Sequence, residues 1–282
     1  NAGSFSDPIV IRGNGTWTYL LCSIVDDIDF NVTHIIRGED HISNTVAQIQ
    51  FFEALKSTPP IFAHLARIVS KTEKISKRVG GFDIQTLRDE KQIEAMTINS
   101  FFALIGTSKD VSVCSKLEGL VNNFSIEDFH KSPINYEEAD LVRLNHRIIS
   151  SYSFEEIKDR LATLGLSDLT GSLWIIIRNN IKKLSEAKYW HDVCCGEIVL
   201  PNFSTSDQEF LIQASDFLPK ESNWDEGTWD KWIDSIKLHT TRRGKELFVP
   251  LRLALTGVKS GPELKILLPM IGKERVPRRL RG

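Results

Sequence analysis

Cysteine is scarce in this chain of 282 residues: Cys22, Cys114, Cys194 and Cys195 are the full set, and none forms a C-x-x-C spacing. The adjacent pair Cys194-Cys195 suits neither an ordinary disulfide nor a zinc ligand set, so no zinc site is expected. A small disulfide-stapled secreted scaffold is excluded. A reducing, cytoplasmic setting is expected, with all four thiols acting as small apolar filler. Long hydrophobic runs are missing too: none reaches the roughly 18–20 residues of a membrane helix, and no membrane partner is expected. The opening residues lack the basic and apolar regions of a secretory signal. They also lack an initiator Met, which predicts a fragment or a processed product. Charge of one sign does not dominate: 35 Lys and Arg against 37 Asp and Glu leave a net charge of −2. A uniformly basic coat for nucleic acid is excluded, and any polyanion site must be a local patch.

What is present is ordinary globular usage, 41% apolar and 26% charged, in a length that predicts two or three domains. The first ninety residues read as mixed α/β. Pro8-Ile9-Val10-Ile11-Arg12 is a short strand, followed by the hairpin signal Gly13-Asn14-Gly15. Residues 16–25 fit a segment that opens as strand and continues as helix, a choice the pattern alone does not decide. Val32-Thr33-His34-Ile35-Ile36 reads as a buried parallel strand. Ser43-Asn44 cap an amphipathic helix with Val46, Ile49, Phe52 and Leu55 at helical spacing. Ile61-Phe62-Ala63-His64-Leu65 is a further strand, and a basic loop follows it. Helical periodicity then takes over, at 93–104, 137–149, 154–164, 173–187, 207–217, 227–238, 245–255 and 262–268. The expected organisation is an α/β segment over 1–90, a helical connector over 91–150 and an all-helical domain over 151–282.

Three groups of residues can carry chemistry. Between positions 67 and 78, Arg67, Lys71, Lys74, Lys77 and Arg78 face only Glu73. The stretch Lys74-Ile75-Ser76-Lys77-Arg78 places two lysines around a small hydroxyl residue beside glycines. A cationic loop of this kind neutralises charge developing on a leaving polyphosphate, although charge runs often only solvate a surface. The second group, Arg37-Gly38-Glu39-Asp40-His41, stands at the C-terminal end of a parallel strand, where ligands bind in open α/β sheets. Arg37 there is suited to clamp a carboxylate with paired hydrogen bonds. Third, Tyr19 and Ser23, four residues apart, share a helical face ahead of Asp26-Asp27. A core tyrosine with a satisfied hydroxyl is the plainer reading of that pair.

Together, in this order and spacing, these features resemble the second half of the catalytic domain of bacterial-type glutamyl-tRNA synthetase, a class I aminoacyl-tRNA synthetase. The resemblance rests on Gly15-Thr16-Trp17-Thr18-Tyr19, Val25-Asp26-Asp27, Thr33-His34-Ile35-Ile36-Arg37-Gly38-Glu39-Asp40-His41, Asn44-Thr45 and Pro59-Pro60-Ile61-Phe62-Ala63-His64-Leu65. Lys74-Ile75-Ser76-Lys77-Arg78 matches the class I signature loop. Leu141-Val142-Arg143-Leu144-Asn145 and Pro250-Leu251-Arg252-Leu253-Ala254-Leu255-Thr256-Gly257 extend the likeness to the C-terminal part.

The resemblance implies an α/β fold, the second half of a class I Rossmann-type catalytic domain, followed by an all-α anticodon-binding domain. It implies ligation of glutamate to tRNA through a glutamyl-adenylate made from ATP, with Mg²⁺ accompanying the nucleotide. Arg37 is expected to hold the side-chain carboxylate of glutamate, beside Tyr19, Ser23 and His41. His64 and Leu65 are expected along the adenine, Lys77 on the ATP phosphates with Lys74 assisting, and Arg252 at the tRNA anticodon. A monomer acting on tRNA for glutamate, with tRNA for glutamine as a further candidate, follows from the same likeness.

Some positions depart from the pattern. Ser23 stands where many relatives carry Asn, His41 where some carry Trp, and Arg143 where Trp is frequent. A His-Ile-Gly-His-type signature is absent from the 282 residues, so the chain alone is expected to be inactive. A non-catalytic tRNA-binding fragment of the same family is therefore the alternative. A glutaminyl enzyme is disfavoured, because such enzymes close with β-barrels. The tail carries Lys273, Arg275, Arg278, Arg279 and Arg281 against Glu274, and reads as a phosphate contact or a solvated end. Trp229 and Trp232 read as a helix core face.

Overall fold

The computed structural model describes residues 8–70, 83–109 and 113–282. The chain divides into two compact units, each interrupted in sequence: residues 1–82, 101–112 and 120–138 form one, and 83–100, 113–119 and 139–282 the other.

The first unit is α/β. Its opening strand shrinks to a single antiparallel bridge, Ile11 to Trp17, around a turn that Gly15 closes at φ +81°. The Asn14 carboxamide oxygen accepts from the amide and hydroxyl of Thr16 there, the local bonding that makes Asn a turn residue. Within residues 16–25, Trp17 still belongs to the bridge and helix α1 (Tyr19–Asp29) begins two residues later. Strand β1 (His34–Gly38), helix α2 (Ile42–Ala54) and strand β2 (Ile61–Leu65) then make a β-α-β unit. The strands pair in parallel, Arg37 opposite His64 and Gly38 opposite Leu65, which requires a crossover of the length α2 supplies. A second parallel pair joins β3 (Ile68–Ser70) to β4 (Ile134–Tyr136).

Two expectations need correcting here. β1 is parallel but not buried: Ile36 is 54% exposed, and among the described residues β1 has a neighbour on one edge only. On α2 the buried face is Thr45, Gln48 and Phe52, while Val46 and Leu55 are about half exposed. Phe52 is buried as expected, and it shares the inward face with Thr45 and Gln48, which serve Arg37.

The second unit is helical. Its elements are α3 (Ile84–Asp89), α4 (Ala95–Leu104), α5 (Leu117–Asn123), α6 (Glu138–Ser151), α7 (Phe154–Thr163), α8 (Gly171–Ile177), α9 (Ala187–Cys195), α10 (Thr205–Asp216), α11 (Glu226–His239), α12 (Gly244–Thr256) and α13 (Leu264–Arg281). Parts of α4 and α5 fall in the first unit. Fully buried Trp174, Ile177, Trp232, Leu251 and Leu267 anchor the core. None of the described helices is long and apolar enough to cross a membrane.

Side chains on α6 explain why the single helix expected over 173–187 is broken. The hydroxyl of Ser150 donates to the Arg178 carbonyl, His146 bonds the Asn179 carbonyl, and the Asn145 amide donates to the Lys182 carbonyl. Each takes an oxygen that a continuous ladder would use. Buried Asn145 also accepts from the Glu94 amide and the Thr97 hydroxyl, both at 2.8 Å, so it caps the start of α4.

The tail is packed in part: Arg279 is buried, while Lys273, Arg278 and Arg281 are exposed. Residues 273–281 belong to α13, which bends at Gly272 (φ +83°). Arg279 is buried and donates to the carbonyls of Val193, Leu255, Asp192 and Gly196. Burial lowers its pKa below the usual arginine value. Arg281 donates to Ser215 and Asp216, and Arg275 to the Cys195 carbonyl. Trp232 is core, as expected, with its indole N–H on the Ala214 carbonyl at 2.8 Å. The thiols divide: Cys194 is buried and pushed up to about 12 by that burial, whereas Cys22 and Cys195 are exposed and are not filler.

Candidate active site

The site grows from the end of β1. Arg37 is the fourth residue of that strand, and its side chain reaches the buried face of α2. Nη2 donates to Thr45 Oγ1 and to Gln48 Oε1, both at 2.5 Å. The guanidinium carbon lies 5.3 Å from the Phe62 ring centroid, a cation–π contact from β2. Nε is buried without a hydrogen-bond partner. A buried donor left unpaired costs about 1–3 kcal/mol, a cost that an acceptor from a ligand removes.

The network continues on both sides. Thr45 Oγ1 donates to the His41 carbonyl and lies 2.9 Å from His64 Nε2, joining α2 to β2. Burial and the Arg37 charge, with a contribution from His41, hold the His64 pKa below its usual value. Gln48 Nε2 reaches Ser23 Oγ at 3.5 Å, and Ser23 donates to the Leu20 carbonyl. Asp27, on the next turn of α1, is pushed up by burial and by Asp26, and Arg37 partly offsets this.

Of the residues expected from sequence, Ser23, Arg37 and His64 meet in this one network. His41 touches it through its backbone carbonyl, and its ring contacts Asn44 and Asp40. Tyr19 lies one turn before Ser23 on α1, with its side chain 69% exposed and outside the network. Leu65 pairs with Gly38 across the sheet. Lys74 and Lys77 lie outside the described residues. Arg252 belongs to the other unit, on α12, where it is half-buried and donates to the Pro262 carbonyl. The loop it meets is tight: a Cβ on Gly261 would come 2.0 Å from the Trp190 ring.

Sequence reasoning missed Thr45 and Gln48. The available signal was a pair of hydrogen-bonding residues one helical turn apart, in the helix that follows an arginine at a strand end. Among the described residues no cluster of three His, Cys, Asp or Glu side chains is placed to hold a metal.

The family described as tRNA synthetases class I (E and Q), catalytic domain, matches residues 2–142, and the anticodon binding domain matches residues 154–282. The chain belongs to the class I tRNA synthetases of the E and Q group. Glutamate–tRNA ligase 1 of Rickettsia bellii is 50% identical over 277 residues, 98% of this chain and 62% of the relative. The corresponding ligase of Rickettsia prowazekii is also 50% identical, over 98% of this chain and 61% of its own length. The chain thus spans about three-fifths of these relatives. Among solved structures, a glutamate tRNA ligase from Elizabethkingia meningosepticum in complex with its amino acid superposes with a TM-score of 0.77. It is 19% identical and matches 99% of this chain and 62% of that one, a likeness of fold. The α/β unit followed by a helical domain is accordingly the fold of this synthetase family.

Proposed function

We propose that this chain forms part of a glutamate–tRNA ligase that activates glutamate with ATP, and that Arg37 holds the substrate's side-chain carboxylate. The observation that carries the reading is the Arg37 guanidinium at the end of a parallel strand, with Nε buried and lacking an acceptor. A carboxylate is the ligand chemistry that suits it. Ser23 and the exposed Tyr19, on one face of α1, are proposed to contact the amino acid, with His41 alongside.

In the proposed reaction a glutamate α-carboxylate oxygen attacks the α-phosphorus of ATP. The bond from that phosphorus to the bridging oxygen breaks, releasing pyrophosphate and leaving glutamyl-adenylate. A terminal ribose hydroxyl of tRNA then attacks the acyl carbon, and AMP leaves. The backbone at His64 and Leu65 is proposed to lie along the adenine. Lys77, with Lys74, is proposed to neutralise the charge on the phosphates as pyrophosphate departs. Mg²⁺ would arrive with the nucleotide and supply phosphate charge neutralisation. Arg252, with the Pro262 loop it bonds, is proposed to face the tRNA anticodon. The enzyme is read as a cytoplasmic monomer, with tRNA for glutamine as a further candidate substrate.

Acylation of tRNA by the complete gene product tests this reading. ATP-dependent attachment of labelled glutamate to tRNA is expected, and a product that binds tRNA but never acylates it would overturn the proposal.

A further inference from the structure

The bonds around Arg37 run in one direction, and that direction has a consequence for selectivity. Gln48 turns its carboxamide oxygen to Arg37 Nη2, which obliges its NH₂ to face Ser23. Ser23 in turn donates its proton to the Leu20 carbonyl, and Thr45 donates its own to the His41 carbonyl. The two oxygens that touch the guanidinium are therefore neutral, and both are consumed by Nη2. Among the described residues no carboxylate lies within ion-pair distance of Arg37: its direct partners are two dipoles and an aromatic face, and Asp27 acts on it only through its charge. Of its other donors, Nε is buried without an acceptor.

We propose that Gln48 is a positioning residue that sets the site's preference for a carboxylate over a carboxamide. It holds Arg37 by a neutral oxygen and leaves the positive charge for the substrate. This rests on the reading of Arg37 as the contact for the glutamate side chain. A carboxylate offers lone pairs alone and satisfies the unpaired Nε. A carboxamide directs N–H groups at a guanidinium whose adjoining acceptors are already occupied, and a site that leaves polar groups unpaired rejects such an analogue strongly. Gln rather than Glu at position 48 is then a requirement of charge, not of shape.

The test is glutamate-dependent ATP–pyrophosphate exchange by the complete gene product with tRNA present. KM is measured separately for glutamate and ATP, with glutamine as competing substrate. Gln48→Glu is nearly isosteric and supplies an internal carboxylate to Arg37. It should raise KM for glutamate by about 30-fold or more and cut the preference for glutamate over glutamine by about tenfold, as expected when one charged contact is lost. KM for ATP should stay within about twofold. Gln48→Met keeps the length and neutrality but removes the oxygen. It should raise KM for glutamate by about 5–10-fold, and its split between the two substrates decides the matter if Gln48→Glu fails to fold. Equal changes in both KM values, or an unchanged KM for glutamate, would overturn the proposal. Arg37→Lys separates the two levels. If it leaves KM for glutamate unchanged, the reading of Arg37 fails. If it raises that KM while the Gln48 variants do not, only the role of Gln48 fails.

Discussion

Arg37 and Gln48, eleven residues apart, meet where β1 gives way to α2: Nη2 of the arginine donates to the carboxamide oxygen at 2.5 Å. The contact converts a strand-end arginine into a fixed guanidinium. It also explains why the buried stripe of α2 carries Thr45 and Gln48 where an apolar stripe was expected. A structural requirement of the helix and a chemical requirement of the site are met by the same two side chains.

Asn145 supports the helical unit in a comparable way. It accepts from the Glu94 amide and the Thr97 hydroxyl and donates to the Lys182 carbonyl. Asn145→Ala should lower unfolding free energy by about 2–4 kcal/mol, because buried partners are left unpaired. Urea denaturation read by Trp fluorescence measures this; a change below about 0.5 kcal/mol would show that the three bonds carry no weight.

Tyr152 donates to Glu94, which Arg160 also clamps with two bonds of 2.8 and 2.7 Å. Burial and the Glu94 charge push the phenol up to about 12. The unfolded chain ionises this tyrosine near its ordinary value, about 10, while the folded chain keeps it protonated. Its contribution to stability is therefore present below pH 10 and lost as pH rises towards 12. Stability measured across that window should fall for the wild type and fall less for Tyr152→Phe. Equal slopes would contradict the assignment.

Lys77→Ala in the complete gene product should depress ATP–pyrophosphate exchange by about 10²-fold, the scale of losing one group that stabilises transition-state charge. The Kd for tRNA should move less than about threefold. Equal losses in exchange and in tRNA binding would remove Lys77 from the chemistry and make it a tRNA contact.

The parallel β-α-β unit, the helical C-terminal part and the strand-end arginine were legible because each depends on short-range pattern. Residues 32–36 form a short β-prone run, and Arg37 stands directly after it. What escaped depends on partners distant in sequence. The break after α8 exists because Asn145, His146 and Ser150 take carbonyls some thirty residues away. Arg279 and Arg281 resembled a solvated cationic tail, yet they bond α9, α10 and α12 through oxygens that composition cannot reveal. Thr45 and Gln48 acquire their role only through Arg37, which reaches them from the neighbouring strand.

Exchange kinetics of the complete gene product and its Arg37→Ala variant, over a range of glutamate concentrations, report whether Arg37 makes the site a glutamate site. Saturable glutamate-dependent exchange is expected in the wild type. In the variant, KM for glutamate should rise by about 10²-fold or more, consistent with loss of a charge-assisted bidentate contact, while KM for ATP stays put. An Arg37→Ala protein with wild-type dependence on glutamate would contradict that role of Arg37.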